Sequence, residues 1–216
     1  VKEKALALLQ SGTVDRVLGW KAGEFFYDLT PAVFTTVEEI EKDFVWSAFS
    51  AANLSKYLIQ ESRKDGKVAA FLKPCDSYSF VQLLKEHRIW RDHVYVVGVQ
   101  CDGMCDIDKI RAAGCKGVTA VTEDGDTLRV TTLTGEKIVN KQDVLLGRCT
   151  VCKSKKIVEF DELLGEQGEE LDSARFDEVA KLEAMTPEER YAFWRGELSR
   201  CIRCNACRNV CPACSC

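Results

Sequence analysis

Six of the 12 cysteines in this chain fall within its last 16 residues. So dense a run cannot bury an apolar core of its own, so either disulfides or metal must hold it. An even cysteine count in a short secreted chain reads as a disulfide framework. This chain has 216 residues and is 46% hydrophobic, enough to build a core without covalent staples. Its opening, Val1-Lys2-Glu3-Lys4-Ala5, reads as the start of an amphipathic helix rather than a signal peptide. The expected compartment is therefore the cytoplasm, where clustered CxxC spacing points to metal.

The tail reads Cys201-Ile202-Arg203-Cys204-Asn205-Ala206-Cys207-Arg208-Asn209-Val210-Cys211-Pro212-Ala213-Cys214-Ser215-Cys216. Its first part is CxxCxxCxxxCP, the spacing of bacterial ferredoxins. Two-residue gaps let one tight turn wrap three thiolates around a 4Fe-4S cubane, with backbone amides aimed at the sulfurs. Zinc also binds CxxC pairs, but three cysteines at successive two-residue gaps crowd too closely for a usual zinc knuckle. In two-cluster ferredoxins the fourth cysteine ligates the other cluster. Here no second complete half follows. Either Cys211, Cys214 or Cys216 closes the cluster, or the natural protein continues beyond Cys216.

A second set is dispersed: Cys75, Cys101, Cys149 and Cys152. A lone cysteine at a strand end is more often a small buried hydrophobe than a ligand. The Cys149–Cys152 pair anchors this set, because two thiolates at that spacing already form half of a site. Cys105 and Cys115 are further candidates.

Apolar periodicity predicts a helix over residues 2–10, a strand over 14–20 and an extended stretch over 25–34, interrupted at Pro31. Residues 37–44 are short and acidic. A helix is expected over 48–61, a strand over 67–72, a turn at Pro74-Cys75-Asp76, a helix over 78–87 and a strong strand over 93–99. Strand, turn, helix and strand make a β-α-β unit, whose ligand sites lie at the carboxyl ends of its strands. Cys75 and Cys101 both fall just past such an end. A short helix over 107–113 and a hairpin of strands at 118–122 and 128–133 follow, then a loop carrying the Cys149–Cys152 pair. Residues 159–171 read as an acidic surface linker. A helix is expected over 175–185, and a second opens with Thr186 as N-cap, Pro187 as first helical residue and Glu189 completing a capping box. The fold class is α/β: a small mixed or parallel sheet with β-α-β units, plus a C-terminal helical segment leading into the cluster-binding tail.

A net charge of −4 argues against nucleic acid as the main partner, and no apolar run approaches 18 residues, so no membrane span is expected. No Ser-His-Asp arrangement suggests hydrolysis. His87 and His93 read as surface or capping residues. Trp20, Trp46, Trp90 and Trp194 read as packing residues, with Trp46 a candidate neighbour of a flavin ring. Lys155, Lys156, Arg200, Arg203 and Arg208 either face an acidic partner or offset cluster charge, against a solvated surface as the plain alternative.

Lys73-Pro74-Cys75-Asp76, the strand ending Val97-Gly98-Val99-Gln100-Cys101-Asp102-Gly103, and Cys149-Thr150-Val151-Cys152 followed by Asp161-Glu162-Leu163-Leu164-Gly165 occur in an order that resembles the beta-subunit family of deazaflavin-reducing hydrogenases and formate dehydrogenases. The resemblance covers residues 1–165, and the tail resembles the ferredoxin-like extension of some members. It implies an iron–sulfur flavoprotein subunit that relays electrons between a catalytic or heterodisulfide-reductase-like partner and a soluble carrier. It implies that Cys75, Cys101, Cys149 and Cys152 ligate a 4Fe-4S cluster, giving two clusters with the tail, and that FAD is bound. No GxGxxG fingerprint is present, so no flavin contact maps to a named residue. The carrier stays open among a deazaflavin, NADH, NADPH and ferredoxin. The alternatives are a non-enzymatic ferredoxin-like adaptor holding clusters only, and a zinc-binding scaffold. The expected division is residues 1–165 for the α/β domain and 166–216 for the helical linker and ferredoxin-like segment.

Overall fold

The computed structural model of the chain describes residues 1–214; Cys216, a candidate tail ligand, lies outside the described residues. Helix α1 (Lys2–Gln10) leads into β1 (Arg16–Ala22), β2 (Leu29–Phe34) and α2 (Val37–Asp43). Helix α3 is short (Leu58–Glu61) and precedes β3 (Val68–Leu72), α4 (Pro74–Lys85) and β4 (Val94–Val99). Then come α5 (Ile107–Ala112), β5 (Val118–Asp124), β6 (Thr127–Thr132), β7 (Gly135–Asn140), α6 (Gly147–Thr150) and β8 (Glu162–Leu164). Helices α7 (Asp177–Ala184), α8 (Pro187–Leu198) and α9 (Ala206–Val210) finish the described chain.

The main sheet runs β2-β1-β3-β4-β8. Strands β1, β3, β4 and β8 are parallel neighbours, and β2 is antiparallel on the edge. The expected β-α-β unit is β3-α4-β4, with its strands adjacent. VAAFL of β3 is buried along its whole length because both faces of the sheet are covered. Val68, Ala70 and Leu72 point into one core with Leu54, Leu58, Phe80 and Leu83. The alternate residues Ala69 and Phe71 point into a second core with Ala5, Leu8, Ile40 and Phe44. Pro31 sits inside β2, opposite Trp20, where an edge strand can spare an N–H.

Strands β5, β6 and β7 form a separate antiparallel sheet. Leu128 and Val130 of β6 close a third core with Ile110, Cys105, Cys115, Val144 and Leu145. The hairpin expected from the sequence is thus a three-stranded meander. Its third strand is almost wholly exposed, so it gives no apolar alternation to read.

Three further expectations are corrected. Residues 48–61 are not one helix: only a 3-10 turn at Ser55–Tyr57 and α3 form there. Local side chains capture the backbone instead, with Asn53 Oδ1 accepting from the Ser55 N–H (3.0 Å) and Ser50 Oγ accepting from the Ser47 N–H (3.1 Å). The short acidic stretch 37–44, given no structure by the sequence reading, holds α2, capped by a Thr36–Glu39 box. The turn expected at Pro74-Cys75-Asp76 is already the first turn of α4, with Pro74 in the early position that tolerates its missing N–H. The acidic stretch 159–171 supplies β8, which extends the sheet beside β4. By contrast, α8 starts as read, with Thr186 Oγ1 accepting from the Glu189 N–H. Helices α7 and α8 bury no residue. Among the described residues no helix is long and apolar enough to cross a membrane.

Candidate metal centres

Strand β3 ends at Leu72, and Cys75 follows three positions on as the second residue of α4. Strand β4 ends at Val99, and Cys101 follows two positions on. Parallel pairing of Leu72 with Gly98 sets both sulfurs on the carboxyl rim of the sheet, as strand topology predicts. Cys149 lies in α6 and Cys152 just beyond it. The third core brings that loop to the rim, because the Leu146 N–H donates to Met104 O (2.8 Å) and Cys105 bridges to Leu145. All four cysteines then line one mostly apolar cavity of about 70 Å³, with Met104 and Arg148 also in its wall.

Such a cavity has more room than a single ion needs. Among the described residues, no three potential ligands converge closely enough for one metal ion. Four thiols spread around one cavity, none paired in a disulfide, suit a multi-iron cluster better than a single ion. Gly103 lets the loop pass: its φ is +112°, and an added Cβ would lie 2.7 Å from Leu145 Cδ2.

The thiols sit in distinct electrostatic surroundings. Cys75 lines the cavity and stays exposed at its surface, but protein atoms crowd around its thiol. That burial, and then the Asp76 carboxylate, push its thiol up to about 12. Burial also raises Cys101, opposed by the Gly103 N–H and by Lys73 and Lys155. The Met104 N–H donates to Cys149 Sγ (3.4 Å), and the Cys152 thiol donates to Ser154 O (3.3 Å). A buried thiol in this setting needs nearby positive charge to ionise, which a bound metal would supply.

Three cations frame this site, and sequence reasoning passed over two of them, Lys73 and Arg148. Lys73 is 1% exposed, with Nζ 2.9 Å from Asp76 Oδ2, 3.2 Å from Ala52 O, and over the rings of Trp20 and Trp46 at 5.2 and 5.8 Å. A lysine closing an apolar strand, three residues before an aspartate, was the available signal. Trp46, weighed as a flavin neighbour, is in the structure a wall for this ammonium. Arg148 lines the cavity and donates from Nη2 to Ala51 O (2.6 Å). Lys155 donates to Cys101 O (2.8 Å), so of the basic residues named from the sequence it is the one at this site. Cys105 and Cys115 are buried in the third core and do not line the cavity; burial pushes the Cys105 thiol up to about 11.

In the tail, Cys201 and Cys204 follow α8, Cys207 lies in α9 and Cys211 caps it. Arg203 and Asn205 take left-handed φ of 57° and 61°, which coil the chain tightly between Cys201 and Cys207. Amides point at sulfur as the spacing suggests: the Arg203 N–H donates to Cys201 Sγ (3.4 Å), and the N–H groups of Ala213 and Cys214 hold the Cys211 thiol below its ordinary value. Cys201, Cys204 and Cys207 are exposed, while Cys211 and Cys214 are half-buried. The structure brings Cys211 to the body, where it shares a cleft of about 550 Å³ with Cys75 and Arg148.

No family model matches the chain. It is similar to the F420-dependent formate dehydrogenase 1 subunit beta of Methanococcus maripaludis, at 27% identity over 97% of this chain and 70% of that protein. It is likewise similar to the F420-dependent formate dehydrogenase subunit beta of Methanocaldococcus jannaschii, at 25% identity over the same shares. Among solved structures, a chain of the F420-reducing [NiFe] hydrogenase complex of Methanosarcina barkeri superposes with a TM-score of 0.53 at 16% identity, covering 91% of this chain and 84% of that one. That likeness is one of fold, and it agrees with the mixed α/β architecture expected from the sequence.

Proposed function

We propose that this chain, similar along most of its length to formate dehydrogenase beta subunits, is an electron-transfer subunit of a redox complex. The observation that carries the reading is the cavity where Cys75, Cys101, Cys149 and Cys152 meet from three separate parts of the chain. These four would hold one 4Fe-4S cluster, and the tail cysteines a second. A cluster supplies one-electron chemistry without proton transfer. The protein's own residues would set its surroundings: Lys73, Lys155 and Arg148 would offset the negative charge of a thiolate-held cluster, and the Met104 and Gly103 amides face the sulfurs of Cys149 and Cys101. FAD, which would exchange a hydride with a soluble carrier, rests on the similarity alone, as does a catalytic partner subunit. We read residues 1–165 as the α/β electron-transfer domain and 166–216 as the linker and ferredoxin-like segment.

Anaerobic purification followed by iron and acid-labile sulfide analysis tests this. Two cubanes require about eight irons and eight sulfides per chain. Flavin peaks above the broad cluster absorbance would support the flavoprotein, and their absence with full iron would favour an adaptor holding clusters only. A colourless, zinc-loaded protein would end the reading.

A further inference from the structure

The segment between β2 and β3 that fails to form one continuous helix bonds to two sides of the candidate site. Ala51 O accepts from Arg148, beside Cys149 (2.6 Å), and Ala52 O accepts from Lys73, beside Cys75 (3.2 Å). Asn53 Nδ2 donates to Ser79 Oγ (2.9 Å), whose hydroxyl donates to Cys75 O (3.3 Å). The same segment then reaches the tail. Lys56 Nζ donates to Arg208 O (2.7 Å), Cys211 O (2.9 Å) and Cys214 O (2.8 Å). An ammonium has three donors, and all three are committed to the tail backbone. They converge where α9 ends and Cys211 turns toward the cleft it shares with Cys75.

We propose that Lys56 is the positioning residue that seats the cysteine-rich tail on the body with Cys211 facing Cys75, so that the two cysteine sets exchange electrons directly across that cleft. The step moves one electron: the reduced cluster loses it and the oxidised one gains it, with no bond made or broken and no proton transferred. The inference rests on the reading that both cysteine sets hold clusters. Lys56 bonds carbonyls and no thiol, so it sets where the tail sits without contributing a ligand. Charge-assisted bonds of this kind contribute more than neutral ones, and three from one side chain form a local clamp whose loss frees the segment as a unit.

The full chain, prepared anaerobically with its clusters, is compared with Lys56→Ala and Lys56→Arg. Iron content is measured first, then the paramagnetic resonance of the fully reduced protein, then the rate of tryptic cleavage within residues 200–208. Parent and Lys56→Arg are expected to show magnetically interacting clusters and a protected tail. Lys56→Ala should keep its iron, show two non-interacting signals and be cleaved about tenfold faster or more, the factor that 1.4 kcal/mol of lost docking gives. Interaction and protection unchanged in Lys56→Ala would overturn the proposal, as would a parent with full iron whose clusters do not interact. A parent carrying only one cluster's iron would instead refute the two-cluster reading, and the iron measurement separates that failure from the others.

Discussion

Replacing Lys73 with methionine removes a cation that is 1% exposed while leaving its partner Asp76 at 0% exposure. Methionine approximates the length and apolar stem of lysine, so packing against Trp20 and Trp46 is largely kept and the loss is electrostatic. Breaking a buried pair from one side costs about 3–5 kcal/mol, because an uncompensated charge stays in the interior. Asp76 keeps the Lys73 backbone N–H (3.2 Å), which softens the loss without restoring a counter-charge. For a protein of this size each kcal/mol moves the midpoint by roughly 2–4 °C, so Lys73→Met should melt about 6–20 °C lower. The assay is thermal unfolding of the reduced, metal-free chain by circular dichroism, since a bound cluster would add its own folding energy. Adding Asp76→Asn removes the stranded charge but keeps an acceptor for that backbone N–H. The double variant should recover more than half of the loss. A double variant as unstable as Lys73→Met alone would refute the argument, because the stranded carboxylate would then not be the cause.

Cys149→Ser and Cys75→Ser should each lose about four irons and lower thermal stability together, leaving the tail signal in paramagnetic resonance intact, whereas Cys105→Ser and Cys115→Ser should keep all their iron. Full iron in Cys75→Ser would sink the four-ligand assignment. Gly103→Ala should cost about 1–3 kcal/mol in denaturant unfolding, since alanine resists φ +112° and its Cβ meets Leu145; a neutral result would show that the loop before α5 relaxes freely. Burial raises the Cys75 thiol in the folded metal-free chain from 9.0 to about 12, so that contribution to stability is full below pH 9 and is lost as pH rises toward 12. Ligation must expel the same proton, so cluster assembly should become more favourable between pH 7 and 9, and a flat assembly profile would contradict a protonated Cys75.

The β-α-β unit was legible because its signals are local: VAAFL and HVYVVGV are apolar runs long enough for strands buried on both faces, and they place Cys75 and Cys101 at strand ends by counting alone. The tail run was legible because its ligand spacing is a property of consecutive residues, as was the Thr186–Glu189 cap. Tertiary structure decided the rest. Residues 48–61 have the apolar periodicity of a helix, but the carbonyls of Ala51 and Ala52 go to Arg148 and Lys73, which lie far along the chain. β8 is three residues long, too short for a periodic signal, and forms because β4 offers it an edge. Whether Lys73 is a solvated lysine or a buried ion could not be read from its neighbours, since burial depends on Trp20 and Trp46 folding over it. The meeting of Cys149 and Cys152 with Cys75 and Cys101 was implied by the family resemblance, but spacing alone did not carry it, because closure of that site runs through the third core. Local propensity and spacing are written within a few residues of each other; the carbonyl a lysine finds, and the cavity four distant thiols share, exist only once packing has fixed which surfaces face.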